Sequence, residues 1–272
     1  MTEISAKIIL DSEAPNRTRL TTMELTYPRF IHSEVLTHRN YSRNSASSRA
    51  IPVSKQIERV KTDPAMPIIF GSAKPGMQAG PPVEDQEEAM SQWLYARDCA
   101  VEKAEAMLAL GVHKQVVNRI LEPWSWITVI LSGTEWQNFF IQRDSDLAQP
   151  EIQVLAKRMK AAYKGSLPQE LNYGQWHTPY IRDSERGTLN LDQLKQISTA
   201  RCARVSYLTH DGARDLDKDL ELYQRLVAAS PKHMSPLEHI ASPEISPRLQ
   251  RALGRHKGNF KDFKQFRHEI EG

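Results

Sequence analysis

Cysteine is scarce in this sequence: two in 272 residues, Cys99 and Cys202, neither in a CxxC pair nor a Cys/His cluster. That excludes a disulfide scaffold and a zinc site of standard spacing, and no metal is expected. Such cysteine usage fits a reducing compartment, so the expectation is a cytoplasmic protein. No apolar run is long enough to span a bilayer, and Met1–Ser5 lacks the basic stretch and apolar core of a signal peptide. Also missing are GxGxxG, GxxxxGK followed by Ser or Thr, HExxH and GxSxG. The common dinucleotide, P-loop, zinc-protease and hydrolase readings therefore have no support. The formal net charge is only +3, too small to indicate a nucleic-acid partner, although it suits an enzyme that attracts phosphorylated small molecules.

The chain contains ample material for a core, with 40% hydrophobic and 25% charged residues. Leu20–Tyr27 reads as a strand, and Pro28 opens a helix through Phe30, Ile31, Glu34, Val35 and His38. Asn40–Arg49, rich in Ser, Asn and Arg, reads as a loop. Pro64–Pro82 carries five prolines together with Gly71, Gly76 and Gly80, the mark of an irregular excursion. A long amphipathic helix is expected from about Glu84 to Leu110, with Trp93, Ala96, Ala100, Ala104, Met107 and Leu108 near one face and Gly111 as its stop. Trp126–Leu131 reads as a buried strand. Ser132 to Glu135 fits a capping box that starts a helix carrying Trp136, Asn138, Phe139, Phe140 and Arg143. Ala148–Tyr163 reads as a helix with Ile152, Leu155, Ala156 and Met159 inward, and Asp217–Ala229 as another. Helices and strands alternate irregularly, which predicts an α+β or mixed α/β fold, a sheet flanked by long helices, in one domain over 1–272.

Several segments carry functional groups. Thr37–Arg49 packs three arginines and four serines into thirteen residues. Guanidinium forks match phosphate oxygens, and hydroxyls and loop amides complete such a cradle; a solvated polar loop would share the composition. His233 to His239 brackets Glu238 with two histidines. Taken alone it is a helix start with Ser235 as cap and Pro236 in the first turn. Arg143 sits one turn after Phe139, so this arginine beside core aromatics needs a partner, either Glu151 or a ligand. Arg119 to Pro123 and Ala203 to Tyr207 say little alone.

Together these segments resemble the motif set of the flavin-dependent thymidylate synthases. Thr37-His38-Arg39 stands where that family has Arg-His-Arg, with Ser42, Ser47 and Arg49 in step. Arg119-Ile120-Leu121-Glu122-Pro123 resembles its Arg-x-Leu-x-Pro element. Asn138-Phe139-Phe140 to Arg143, with Ala148-Gln149 and Glu151-Ile152, resembles its Asn-Phe-x-x-x-Arg and Ala-Gln-x-Glu-Ile pair. Ala203 to Tyr207 and His233 to His239 resemble its Ala-Arg-Val-Ser and His-x-Ser-Pro-Phe-Glu-His elements. In the family these last two come first; here they follow the arginine signature, an order that resembles a circularly permuted, phage-type branch. The shared motifs lie within about 20–240, and a basic tail, 248–272, lies outside them.

The resemblance implies a thymidylate-synthase-complementing-protein-like fold and the reductive methylation of dUMP to dTMP. FAD is the implied cofactor, with NADPH and methylenetetrahydrofolate as co-substrates and a homotetramer with shared sites as the assembly. It gives Arg143 the catalytic role beside the uracil ring. Glu34, Thr37, Ser42, Ser45, Ser47, Arg49 and Arg119 join Arg143 as substrate contacts, while His38, Arg39, Asn138, Ser206, His233, Ser235 and Glu238 would hold FAD. Glu34 could instead pair with His38, four residues on. Ser47 has no base at a fixed offset, which favours binding over a nucleophilic role. Three positions depart from the family: Thr37 for arginine, Glu34 for glutamine and Ser45 for glutamate. Because an ionised carboxylate only accepts hydrogen bonds, a dCMP substrate or a hydroxymethyl product is an alternative, and a non-catalytic nucleotide- or RNA-binding homologue is another. The tail from Arg248 through Arg267, with Phe260, Phe263 and Phe266, is read as an amphipathic element packing on a neighbouring subunit rather than a nucleic-acid contact.

Overall fold

A computed structural model describes residues 1–207, 215–252, 254 and 258–271. Its centre is a five-stranded sheet built from β1 (Ser5–Glu13), β2 (Arg19–Pro28), β3 (Ser42–Ser45), β4 (Trp126–Gly133) and β5 (Gln169–Glu170), in the order β3-β4-β2-β1-β5. Neighbours are antiparallel except β5, which runs parallel to β1. A second, two-stranded sheet pairs β6 (Ala241–Pro243) with β7 (Phe263–Gln265). The fold is mixed α/β, as the sequence predicts.

Side chains alternate across a strand, and here the alternation divides the core. Met23, Leu25 and Tyr27 of β2 and Ile127, Val129 and Leu131 of β4 share one face. The helices α1 (His32–Leu36), α2 (Val53–Thr62), α3 (Gln86–Ala109), α4 (Lys114–Val117), α5 (Gln137–Arg143) and α6 (Pro150–Gly165) follow in chain order. Phe139 and Phe140 of α5, with Ile152, Leu155, Ala156 and Met159 of α6, cover that first face. Ile130, on the opposite face, packs under α8 (Leu191–Tyr207) and α9 (Leu216–Ala228), which follow the short α7 (Asp183–Arg186). A third cluster joins α2, α3 and the 3-10 segment Asn118–Trp124.

Five expectations change. The Asn40–Arg49 segment contains β3, whose polar residues can line an edge strand because its partner β4 supplies the apolar faces. The helix after Pro28 is a 3-10 turn followed by α1 and ends at Leu36. Ser132 caps nothing: it lies in β4, its hydroxyl is used across the sheet, and the helix begins after Trp136. Only Val101 and Ala104 of α3 are buried, whereas Leu108 stays exposed, so this helix meets the core along a narrower stripe than its apolar residues suggest. It does end where expected, with Gly111 at φ +77°. Finally, Phe260, Phe263 and Phe266 are buried in this chain's own core, so they are not free to pack on a neighbour. No helix among the described residues is long and apolar enough to cross a membrane.

Candidate active site

The helix α5 presents Phe139 and Phe140 to the core and brings Arg143 out at its C-terminal end, one turn after Phe139. There Arg143 meets α1 and the residues that follow it. Its Nε–H donates to His38 Nε2 at 2.9 Å, and its Nη2 donates to the Thr37 hydroxyl at 3.1 Å and the Glu34 carbonyl at 3.5 Å. Nη1 lies 3.9 Å from the Glu34 carboxylate. Glu151 is not the partner; it accepts from the Ile68 backbone and the Gln149 amide. The His38 ring also packs edge-on against Phe139, with centroids 4.7 Å apart. Desolvation lowers the His38 pKa, and the adjacent Arg143 charge lowers it further. Desolvation raises that of Glu34 against the opposing pull of Arg143, and Glu151 adds to the rise. Glu34, Thr37, His38 and Arg143 thus form one compact, half-buried polar cluster. It holds no Glu34–His38 hydrogen bond.

A second cluster surrounds Glu122. Its Oε1 accepts from Arg119 and from the Ser48 hydroxyl, each at 2.9 Å, and is ion-paired with Arg29 Nη2 at 2.9 Å. Asn118 fixes the same turn by donating to the carbonyls of Ser48 and Ile51. Ser47 and Arg49 flank Ser48, and their side chains have no partner among the described residues.

A third cluster lies across the sheet. Ser42 faces away from the α5–α6 side and accepts from Gln265 at 2.8 Å; the same Gln265 amide donates to the Glu238 carbonyl at 2.8 Å. The Glu238 carboxylate pairs with Arg267. Pro236 stands in the first turn of the 3-10 segment Ser235–His239, as expected, but Met234 is the cap residue and Ser235 caps nothing. His233, Ser235, Arg39 and Asn138 are exposed, and their side chains make no bond among the described residues. Ser45 alternates to the face opposite Ser42, in register with Val129. The side chain of Ser206 lies outside the described residues.

Of the most deeply buried polar feature, only His239 lies in an element that the sequence singles out for function. Ser12, His177, Thr22, Ser132 and His239 form a continuous hydrogen-bonded chain across β1, β2 and β4, with successive contacts of 2.8, 2.8, 2.6 and 2.8 Å. Burial takes both histidines down to about 3, with the Arg186 and His239 charges adding to the effect at His177. A cavity of about 290 Å³ opens between α2 and the Pro28–Trp126 end of the sheet, and none of the residues nominated from the sequence lines it. Among the described residues, no group of three or more His, Cys, Asp and Glu side chains could hold a metal.

The family model for thymidylate synthase complementing protein matches residues 14–169, more than half of the chain. No curated protein matches the sequence. Two solved structures of a UMP/dUMP methylase, PolB from Streptomyces cacaoi, are similar to 60% of this chain. The one bound with 5-Br UMP has 16% identity and a TM-score of 0.47 over 89% of its own chain; the one bound with 5-Br dUMP has 14% and 0.49 over 90%.

Proposed function

The chain belongs to the thymidylate synthase complementing protein family, and on that premise we propose that it is a flavin-dependent thymidylate synthase converting dUMP to dTMP. Methylenetetrahydrofolate donates the carbon. The observation that carries the reading is the Arg143 cluster: a half-buried guanidinium held by His38 and Thr37 beside the Glu34 carboxylate. The chemical requirement is to make C5 of uracil nucleophilic. A preorganised guanidinium next to the ring stabilises negative charge developing at N3 and O2, and does so more strongly in a desolvated site than in water.

The remaining donor set suits the groups that must be held. Arg39 and Arg49 have guanidiniums without partners among the described residues. They fit, respectively, the diphosphate of FAD and the phosphate of dUMP, with Ser47 and Arg119 beside the latter. Asn138, His233 and Ser235 offer further free hydrogen-bonding groups for FAD, with His38, Glu238 and Ser206 completing that set. FAD, reduced by NADPH, supplies the electrons for the transfer. Ser42 and Glu238 lie on the opposite side of β3 from Ser45 and the Arg143 cluster, so the nominated groups do not converge within one chain. That separation supports a site assembled from several subunits of a homotetramer. The family match ends at residue 169, while the Ala203–Tyr207 and His233–His239 elements lie beyond it, which supports a permuted motif order.

One observation favours a second substrate. The desolvated Glu34 carboxylate stands 3.9 Å from Arg143, where it could accept from the amino group of dCMP. An absorbance spectrum of the purified protein, followed by tritium release from [5-³H]dUMP and [5-³H]dCMP with FAD, NADPH and methylenetetrahydrofolate, separates the two. A flavin spectrum with release from dUMP is the expected result. Release from dCMP alone moves the assignment to cytosine modification, and a colourless protein releasing nothing rejects the flavoenzyme reading.

A further inference from the structure

We propose that the cavity between α2 and the Pro28–Trp126 end of the sheet is a second ligand site, specific for a single-ring heteroaromatic anion of the kind represented by a pyrimidine nucleoside monophosphate. Its volume, about 290 Å³, is at the small end of ligand sites and suits one ring with one charged group. Trp124 and Trp126 both line it, supplying indole surface on which a flat heterocycle can stack.

Gln56 gives the cavity its hydrogen-bonding character. It is only 4% exposed, and its amide N–H donates to Ser125 Oγ at 2.5 Å. Ser125 in turn donates its own proton to the Leu121 carbonyl at 2.8 Å. Ser125 Oγ can therefore only accept from Gln56, which fixes which end of the amide faces it. The Gln56 carbonyl oxygen is left without a protein partner, and it is not among the side-chain atoms sealed from solvent. An acceptor held this way in a buried wall matches a ring N–H such as N3–H of a pyrimidine dione.

The charge comes from Arg59. Arg29 is committed to Glu122 and the Ala46 carbonyl, and the two oxygens of Asp63 both accept from the Thr2 backbone at 3.0 Å. Arg59 lines the cavity, and its guanidinium has no partner among the described residues. It also lines the adjoining cavity of about 490 Å³, so it stands where the two meet and where a phosphate or carboxylate attached to the ring would emerge. Neither Arg143 nor Glu238 borders this space. The cavity shares no lining residue with the Arg143 cluster, so a ligand can bind here whether or not that cluster turns over substrate.

The test is calorimetric titration of the full chain with dTMP in an Arg49→Ala/Arg143→Ala background, which removes both the phosphate and the ring contacts of the Arg143 site, with tryptophan fluorescence as a second readout. We expect one saturable site per chain to persist in that background. Arg59→Ala and Gln56→Leu should each weaken it at least tenfold, and Arg59→Lys should do so by less. Loss of all dTMP binding in the double variant would overturn the proposal, as would Arg59→Ala and Gln56→Leu proteins that bind dTMP as tightly as their parent. Inorganic phosphate competing as well as dTMP would overturn recognition of the ring. Arg59 is exposed, so its variants fold even if Gln56→Leu does not.

Discussion

Arg143 donates its Nε–H to Nε2 of His38 at 2.9 Å. The ring nitrogen facing the guanidinium is therefore an acceptor, and His38 carries its proton on Nδ1. Burial and the arginine's charge both hold the ring neutral at pH 7. Arg143→Ala should lower tritium release from dUMP by about 10²–10³-fold, the range for removing one preorganised donor from a site of developing charge. Arg143→Lys keeps the charge but cannot reach His38 and Thr37 together, so its rate should fall between the two. Steady-state release assays check this, and an unchanged rate in the alanine variant would reject the catalytic role.

Acid should unfold the protein early. His177 and His239 are fully buried with folded-state values near 3, against an ordinary value of about 6.5 in the unfolded chain. Between those limits the unfolded state binds the extra protons, so stability is full above about pH 6.5 and is lost as pH falls. The loss is about 1.4 kcal/mol per pH unit for each ring. Urea midpoints measured from pH 7 to pH 4.5 should fall steeply, and His239→Asn should flatten the slope by about half.

Asp219, 1% exposed, accepts from Arg201 and Arg204 at 2.8 Å each, while Arg201 also forks onto Glu185 with two bonds of 2.7 Å. Asp219→Ala leaves Arg201 with a buried, partly uncompensated charge and should cost about 3–5 kcal/mol. Asp219→Asn retains an acceptor and should cost less. Chemical denaturation of the two variants side by side gives the comparison.

Gly133 ends β4 directly against Tyr41. A Cβ there would stand 2.5 Å from the tyrosine Cδ1 and 2.9 Å from Cε1. The Tyr41 ring is stacked on Trp136 with centroids 4.5 Å apart, so it cannot retreat without disturbing that pair. Gly133→Ala should cost about 1–3 kcal/mol, as overpacking does, and should alter the near-ultraviolet circular dichroism of the aromatic cluster.

The parts of the fold that the sequence foretells are those whose pattern is local. β2 and β4 announce themselves through β-branched and aromatic residues, and α6 through Ile152, Leu155, Ala156 and Met159 at helical spacing, all four fully buried. β3 is hidden because an edge strand of Ser-Arg-Asn-Ser has no apolar period; its pairing is decided by β4, more than eighty residues away. Ser132 imitates a helix cap because four residues cannot reveal that its hydroxyl meets Thr22 and His239. His177 lies in no motif at all. The candidate site was partly legible: the resemblance nominates Glu34, Thr37, His38 and Arg143, and these four meet in space. It does not tell that Arg143 would choose His38 over Glu151, which depends on the angle at which α5 meets α1.

The four residues of β3 face alternately in two directions. Ser42 and Asn44 turn to α8 and Gln265, whereas Arg43 and Ser45 turn to the side of α1 and α5. The strand is thus a partition one residue thick, with different polar equipment on each side. Inserting or deleting a single residue would exchange the contents of the two rooms at one stroke, whereas substitutions at alternate positions can retune one room and leave the other as it was.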